Sequence, residues 1–355
     1  MRILIVGDGT SDIHEIALSK AFQKIGCKVD NFLLAKYYYG EGRIRSLKTR
    51  IQVKFHLGPL ISKINTDLLK TAGVNKYDII FIYRGINIYP TVIKSIKKLN
   101  PRCKLICYNN DCAFSKGYNA LEWRHYLNSL PFFDIICVYR SSDIKLVKKL
   151  GCKNVILLRS WFIPWLDFPP AKITKTDLLS YKTNVVFAGH YENDTRLNVL
   201  ESLVSSGVEL KLFGPYKGLG RSGWQKPIKK NSPLYKLTPI QYLQGNDYRK
   251  AIFLSDISLC FLSKLNNDTY TRRCFEIPAI GGALFSEHSN DLATLFKDGK
   301  EAVFFKNKED LICKVKYYLQ NPTELKSIKE NGNASVKRNG HDVVSRATYL
   351  LNSIN

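Results

Sequence analysis

Short apolar runs alternate along the chain with stretches of helical spacing. RILIVG (2–7) is followed by 11–26, where Ile13, Ile16, Ala17, Phe22 and Ile25 recur at helical intervals and Gly26 stops the pattern. KVDNFLL, YDIIFIYR (77–84), CKLICYN (103–109), FDIICVYR (133–140) and NVILLR (154–159) read as strands, with a helix over 91–99 and SSDIKLVKKLG before the last strand. Fully apolar short strands alternating with helices predict a parallel sheet covered on both faces. At 159–183 the texture breaks: three prolines and no clean period read as an interdomain linker and hinge, with Trp161 and Trp165 packing at the junction. The alternation then restarts with NVVFAG (184–189), a helix over 195–206 and VELKLFG (208–214). A loop rich in Gly, Pro and Lys runs to about 235, followed by DISLCFL (256–262), GALFSE (282–287), AVFFK (302–306) and a helical end. The expected architecture is α/β, two Rossmann-like domains facing a cleft. Residues 1–165 form the first domain, 166–340 the second, and 341–355 a helix packing back towards the first.

Length agrees with two domains, since 355 residues exceed one small core. No run of about 18 apolar residues marks a membrane span. The opening MRILIVGDGTSD has too short an apolar run for a signal peptide, so a cytoplasmic protein is expected. Most of the nine cysteines lie in apolar runs, as Cys107, Cys137 and Cys260 do, and read as reduced, buried thiols without metal spacing.

Charge changes the picture. The net charge of +24 calls for an anionic partner. Between 36 and 76, Lys36, Arg43, Arg45, Lys48, Arg50, Lys54, Lys63, Lys70 and Lys76 face only Glu41 and Asp67, with Tyr37, Tyr38, Tyr39 and Phe55 interleaved. This segment reads either as a solvated loop-helix region or as a docking face for anionic lipid headgroups, where each Lys or Arg adds about 1 kcal/mol.

The candidate chemistry lies where strands end, as expected for ligands of open α/β sheets. Gly7, Asp8 and Gly9 open GDGTSD, a strand-to-helix turn that lacks the third glycine of a dinucleotide fingerprint. It reads as a tight turn capped by Ser11 or Asp12, or as an acceptor-side approach formed by Gly7, Gly9 and Asp12. His14 is a structural histidine or a general base; Asp111, in YNNDCAF, is a turn aspartate or the second cleft carboxylate; Asp8 completes the catalytic candidates. The strongest signal is NDTYTRRCFEIPAIGG. A helix beginning near Thr269 would offer free N–H groups to a diphosphate, Arg272 and Arg273 would add charge, and Glu276 would accept from ribose hydroxyls about two turns in.

RRCFEIPAIGGALFSE, then LFKDGKEAVFFKNKEDLICKVKYYLQNPTELKSIKENG and HDVVSRATYLL, resemble the carboxyl half of CgeB-like glycosyltransferases, the spore-maturation-type branch of GT-B enzymes. FAGHYENDTRLNVLESLVSSGVELKLFG and QGNDYRKAIFLSDISLCFLSKLNNDTYTRR extend the likeness over about 184–350. The resemblance implies a GT-B fold with a nucleotide-sugar in the second domain. It places Glu276 as the glutamate holding donor ribose. Asp268 stands where the family has the first glutamate of a pair, a departure that leaves its role open. Arg196 and Arg272 become diphosphate contacts, the loop from Gly214 through Tyr216 meets the base, and Gly189, His190, Thr269, Tyr270, Thr271 and Arg273 complete the donor side. No metal and no cofactor beyond the donor is implied, and no DxD motif occurs.

The resemblance therefore implies a metal-independent, hexosyltransferase-type glycosyltransferase that retains the anomeric configuration. It would act on a glycan or lipid-linked acceptor at the inner face of an anionic membrane, in cell-surface polysaccharide or lipopolysaccharide synthesis. A DNA-modifying glycosyltransferase and a non-catalytic nucleotide- or sugar-binding protein are the alternatives.

Overall fold

The computed structural model describes residues 1–39, 46–115, 120–217 and 223–354. Arg43, Arg45 and Glu41 of the basic segment lie outside them. Contacts divide the chain into two compact units, Met1–Ser160 with Val343–Asn355, and Trp161–Asp342. The sequence reading put these boundaries at 165/166 and 340/341.

The first unit is built on strands β1 (Arg2–Gly7), β2 (Lys28–Leu33), β3 (Ile79–Tyr83), β4 (Lys104–Asn109), β5 (Ile135–Val138) and β6 (Val155–Leu157). They form one parallel sheet in the order β2-β1-β3-β4-β5-β6. The central β3, IIFIY, is buried along its whole length, because helices cover both faces. Leu4, Val6, Ile80 and Ile82 pack with Ile61, Ile64 and Leu68 of the helix Pro59–Val74 in one core cluster. The terminal helix Val343–Ile354 packs on the helix Glu15–Lys24 of this same unit.

The second unit carries β7 (Thr183–Ala188), β8 (Leu210–Phe213), β9 (Ser255–Cys260), β10 (Leu284–Glu287) and β11 (Val303–Phe305), parallel in the order β11-β10-β9-β7-β8. Its core gathers Val185, Phe187, Leu259, Phe285 and Val303 around the buried Trp224. The chain enters and leaves this unit side by side: Phe162 forms an isolated bridge with Asp342, and its N–H donates to the His341 carbonyl at 3.0 Å.

Three expectations about local structure change. The first helix begins at Glu15 rather than residue 11, and neither Ser11 nor Asp12 caps it; the N-cap is His14, without a side-chain cap bond. The presumed linker holds a helix, Lys175–Tyr181, opened by a capping box in which Thr174 Oγ1 accepts from Asp177 N and Asp177 Oδ2 accepts from Thr174 N at 2.8 Å. The helix expected near Thr269 spans Arg273–Ile280, so the polar cluster before it is a turn, and Glu276 falls in the helix's first turn.

Candidate functional site

In the second unit the site begins with two glycine-ended strands. Gly189 N donates to the Phe213 carbonyl at 2.9 Å, and the Gly189 carbonyl accepts from the buried Trp224 indole at 2.8 Å. Gly214 has φ 155°, and a Cβ there would collide with the Gly189 carbonyl oxygen. The backbone at these two strand ends is therefore packed against itself, and only glycine fits at 214. Tyr216 follows as a half-buried residue packed against the core, its carbonyl accepting from Gln225 N at 3.0 Å.

The loop after Gly189 is held by ion pairs. Arg196 is buried. Its Nε donates to both Asp194 oxygens at 2.9 and 3.1 Å, Nη1 to the His190 carbonyl at 2.9 Å, and Nη2 to Asp194 and Glu192. In this arrangement Arg196 braces the loop, with Nε, Nη1 and Nη2 each bonded to it. His190 is exposed and its Nε2 meets Glu192 Oε1 at 2.9 Å, while Ser263 Oγ donates to Glu192 Oε2 at 2.8 Å. Burial alone would raise Glu192, but the His190 hydrogen bond, the Arg196 charge and the Ser263 hydroxyl hold it below the usual carboxylate range.

The two adjacent arginines have separate fates. Arg272 pairs with Asp167 and with Glu276, one helical turn on. Asp167 Oδ2 also accepts from Ile163 N at 2.7 Å, and Glu276 Oε1 accepts from the Tyr248 hydroxyl at 2.6 Å. Asp167 and Glu276 are buried, so this is a desolvated charge network with Arg272 bound within it. Burial pushes the Tyr248 phenol up to about 12, which keeps it a hydrogen-bond donor to Glu276 at any physiological pH. Arg273 has no ion-pair partner among the described residues. Its guanidinium reaches the Gly189 backbone: a Cβ on Gly189 would lie 3.4 Å from Arg273 Nη2. Arg273 opens the helix Arg273–Ile280, so a free planar cation, a glycine-ended strand and a positive helix end converge.

The other residues of the turn serve it internally. Asp268 Oδ1 accepts from Asn266 Nδ2 at 2.9 Å and its N–H donates to the Ser263 carbonyl at 2.9 Å. Thr269 Oγ1 donates to Asp291 at 2.8 Å, and the Thr269 carbonyl accepts from Ser289 Oγ. Tyr270 is fully buried against Phe275. Thr271 Oγ1 lies 3.3 Å from Cys260 Sγ, which is 3.8 Å from Cys274 Sγ. Thr269, Tyr270 and Thr271 thus shape the turn, and the free N–H groups expected near Thr269 belong to a helix start four residues later.

In the first unit, a second group of charges gathers at the carboxyl ends of β1, β3 and β4. Arg84, which follows β3, has φ 67°, a left-handed conformation disfavoured for a long side chain. Its guanidinium pairs with Asp111 at 3.0 Å and lies 3.8 Å from Glu122. Its Nε is buried and without a hydrogen-bond partner among the described residues. Asp111 and Asp8 both raise the Arg84 pKa electrostatically against the cost of burial. Asp111 also makes reciprocal bonds with Asn109, Nδ2 to carbonyl at 2.9 Å and N–H to Oδ1 at 3.1 Å. His14 Nδ1 is 3.0 Å from the buried Tyr83 hydroxyl, so it is held by a phenol that stays protonated. Gly7 abuts Glu15, a Cβ there colliding with its side chain, and Gly9 (φ 72°) donates its N–H to Glu15 Oε1. Asp12 is exposed in the turn. Burial raises Glu15, offset in part by the Gly9 N–H. The structure therefore brings Asp8, His14 and Asp111 to one sheet edge and adds Glu15 and Arg84. Sequence reasoning passed over both: the apolar spacing of the helix hid Glu15, and Arg84 followed a strand without an expected motif.

Residues 196–352 match the family model described as "Glycosyl transferase-like". The chain is similar to HepE of Anabaena in complex with UDP and glucose, at 13% identity over 100% of this chain and 99% of that one, TM-score 0.68. It is similar to sucrose-phosphate synthase of Thermosynechococcus elongatus, at 11% identity over 99% and 97%, TM-score 0.72. A glycosyltransferase from Rickettsia africae matches at 14% identity over 99% and 97%, TM-score 0.67. A search of the curated proteins finds no match. The two parallel sheets and the full-length structural matches make this a GT-B fold.

Proposed function

We propose that the protein is a glycosyltransferase that takes its sugar from a nucleotide-diphospho-sugar bound to the second unit. The observation that carries this reading is Arg273, a cation without a carboxylate partner among the described residues, set against Gly189 at the start of a helix. A guanidinium grips phosphate oxygens bidentately, and the charge that builds on a departing diphosphate is what such a group stabilises. The family match and the UDP and UDP-glucose complexes of HepE support a nucleotide-sugar as the donor.

Glu276 is assigned to donor ribose. A carboxylate has about four lone-pair sites, and Arg272 and Tyr248 leave some of them for a hydroxyl. Arg272 orients it, and the loop after Gly214 faces the base. On the acceptor side, the first unit supplies Asp111 and Asp8 as carboxylates and His14 as the base candidate, with Arg84 fixing Asp111. The reading extends the sequence-level likeness to the CgeB-like branch, with hexosyl transfer that needs no metal. The acceptor is a glycan or lipid-linked glycan of a cell-surface polysaccharide, reached at an anionic membrane, for which the net charge of +24 speaks.

The test is thermal melting with UDP, GDP, CDP and ADP on wild type and Arg273→Ala. A ligand bound only by the folded state raises the melting temperature. One diphosphate stabilising wild type and not the variant names the donor base; no shift with any of them removes the reading.

A further inference from the structure

The basic segment hides an amphipathic helix that faces the wrong way for a folding element. Leu47–Phe55 buries none of its residues completely. Leu47, Ile51 and Phe55 recur every four residues and so share one face. They are 72%, 50% and 47% exposed, and Leu57 beyond them is 50% exposed. At 100° per residue, Arg50 and Lys54 flank one side of this ridge and Lys48 the other, all three exposed and without an ion pair among the described residues. The protein-facing side is held by Val53, which packs on the core of the first unit.

The helix is fixed in place, so the ridge is not the by-product of a loose segment. Ser46 Oγ accepts from Thr49 N at 3.1 Å at its start. Gln52 Oε1 accepts from Leu60 N at 2.8 Å, and at the end His56, left-handed at φ 50°, is buried with Nδ1 2.7 Å from Asn87 Oδ1. Of the aromatic residues that the sequence suggested for this face, Phe55 stays on the ridge, while two tyrosines are taken elsewhere. Tyr38 is buried, and Tyr37 donates to Asp67 at 2.8 Å.

We propose that Leu47, Ile51 and Phe55 insert into the headgroup boundary of an anionic phospholipid bilayer while Lys48, Arg50 and Lys54 pair with lipid phosphates. An apolar ridge edged by cations is the form of an interfacial helix, and long basic side chains extend their charged ends to the headgroups while their stems lie over apolar surface. The charge chooses the occupant: three exposed cations around an apolar ridge disfavour a second copy of the same helix, and suit a surface that is apolar within and anionic at its edge. The inference gives a place to the anionic membrane named in the proposed function and rests on that part of it.

Sedimentation of the full chain with vesicles of phosphatidylcholine, alone and mixed with phosphatidylglycerol, tests it, beside Ile51→Asp/Phe55→Asp and Lys48→Gln/Arg50→Gln/Lys54→Gln. Wild type should bind the mixed vesicles, less so as salt rises. The acidic variant should bind at least about 10-fold more weakly and the charge-removed variant on the order of 100-fold more weakly. Unchanged circular dichroism keeps misfolding from imitating the result, since the substituted residues are exposed. Equal binding to neutral and mixed vesicles, or full binding by the acidic variant, overturns the proposal. So does light scattering that shows a wild-type dimer which the acidic variant splits, because the ridge is then a subunit contact. Vesicle binding without nucleotide stabilisation overturns the donor assignment alone, and nucleotide stabilisation without vesicle binding overturns this inference alone.

Discussion

The guanidinium of Arg273 rests against the backbone of Gly189, so that a Cβ at 189 would sit 3.4 Å from its Nη2. Replacing Arg273 with Ala should remove a charge-assisted contact to the donor diphosphate and weaken nucleotide binding by about 10- to 100-fold. The melting temperature without ligand should barely move, because no ion pair among the described residues is broken. Isothermal titration with the stabilising diphosphate measures it; wild-type affinity in Arg273→Ala would take Arg273 out of the site.

Arg272→Ala should behave in the opposite way. It strands Asp167 and Glu276, both buried, without their cation. Breaking a buried pair from one side costs about 3–5 kcal/mol. Urea unfolding should show that loss before any ligand is added. A variant as stable as wild type would mean that solvent reaches the network.

Gly214→Ala tests the contact between the two strand ends. The new methyl group would meet the Gly189 carbonyl, and φ 155° strains any L side chain. A loss of at least about 2 kcal/mol in the same unfolding assay is expected. Unaltered stability would show that the two backbones part without cost.

Asp111→Asn tests the first unit by itself. The substitution leaves the size of the side chain and removes the charge that pairs with Arg84 at 3.0 Å. Sugar transfer should fall by about 100-fold or more, while the thermal shift with nucleotide stays at the wild-type value. Loss of the thermal shift as well would make Asp111 a structural residue of the whole fold.

Glu15 supplies a pH dependence. Its folded pKa is raised above the unfolded value of 4.5, chiefly by burial. The folded state therefore holds the proton more tightly, so this contribution is complete below 4.5 and is lost as pH rises through the folded pKa. Glu15→Gln keeps the acceptor for the Gly9 N–H and has no charge to bury. Its melting temperature relative to wild type should climb as pH goes from acid to neutral. A difference independent of pH would mean that Glu15 is solvated.

The alternation of RILIVG and YDIIFIYR, and again of NVVFAG and DISLCFL, with helical spacing was enough to read two parallel sheets, because the period of a strand or helix is a local property. Glycines at strand ends were legible for the same reason, as were Gly7, Gly189 and Gly214 as turning points. Helix starts were read less well. NDTYT contains good turn and cap residues, yet its side chains bond to Asp291 and Asn266, and the helix waits until Arg273. The capping box at Thr174 lay within a proline-rich stretch whose lack of period masked seven helical residues.

By itself, then, the sequence determined that a cluster of Arg, Arg and Glu would stand beside a glycine-broken strand in a doubly repeated α/β chain. Only the tertiary structure decided which arginine is free. Asp167 lies 105 residues before Arg272 and reaches it through the fold, and no pattern within a helix or strand records that pairing. The same holds for Leu47, Ile51 and Phe55. Their spacing predicts a helix face, but whether that face meets core or solvent depends on what else packs there, and here Val53 takes the core side and leaves the ridge outside.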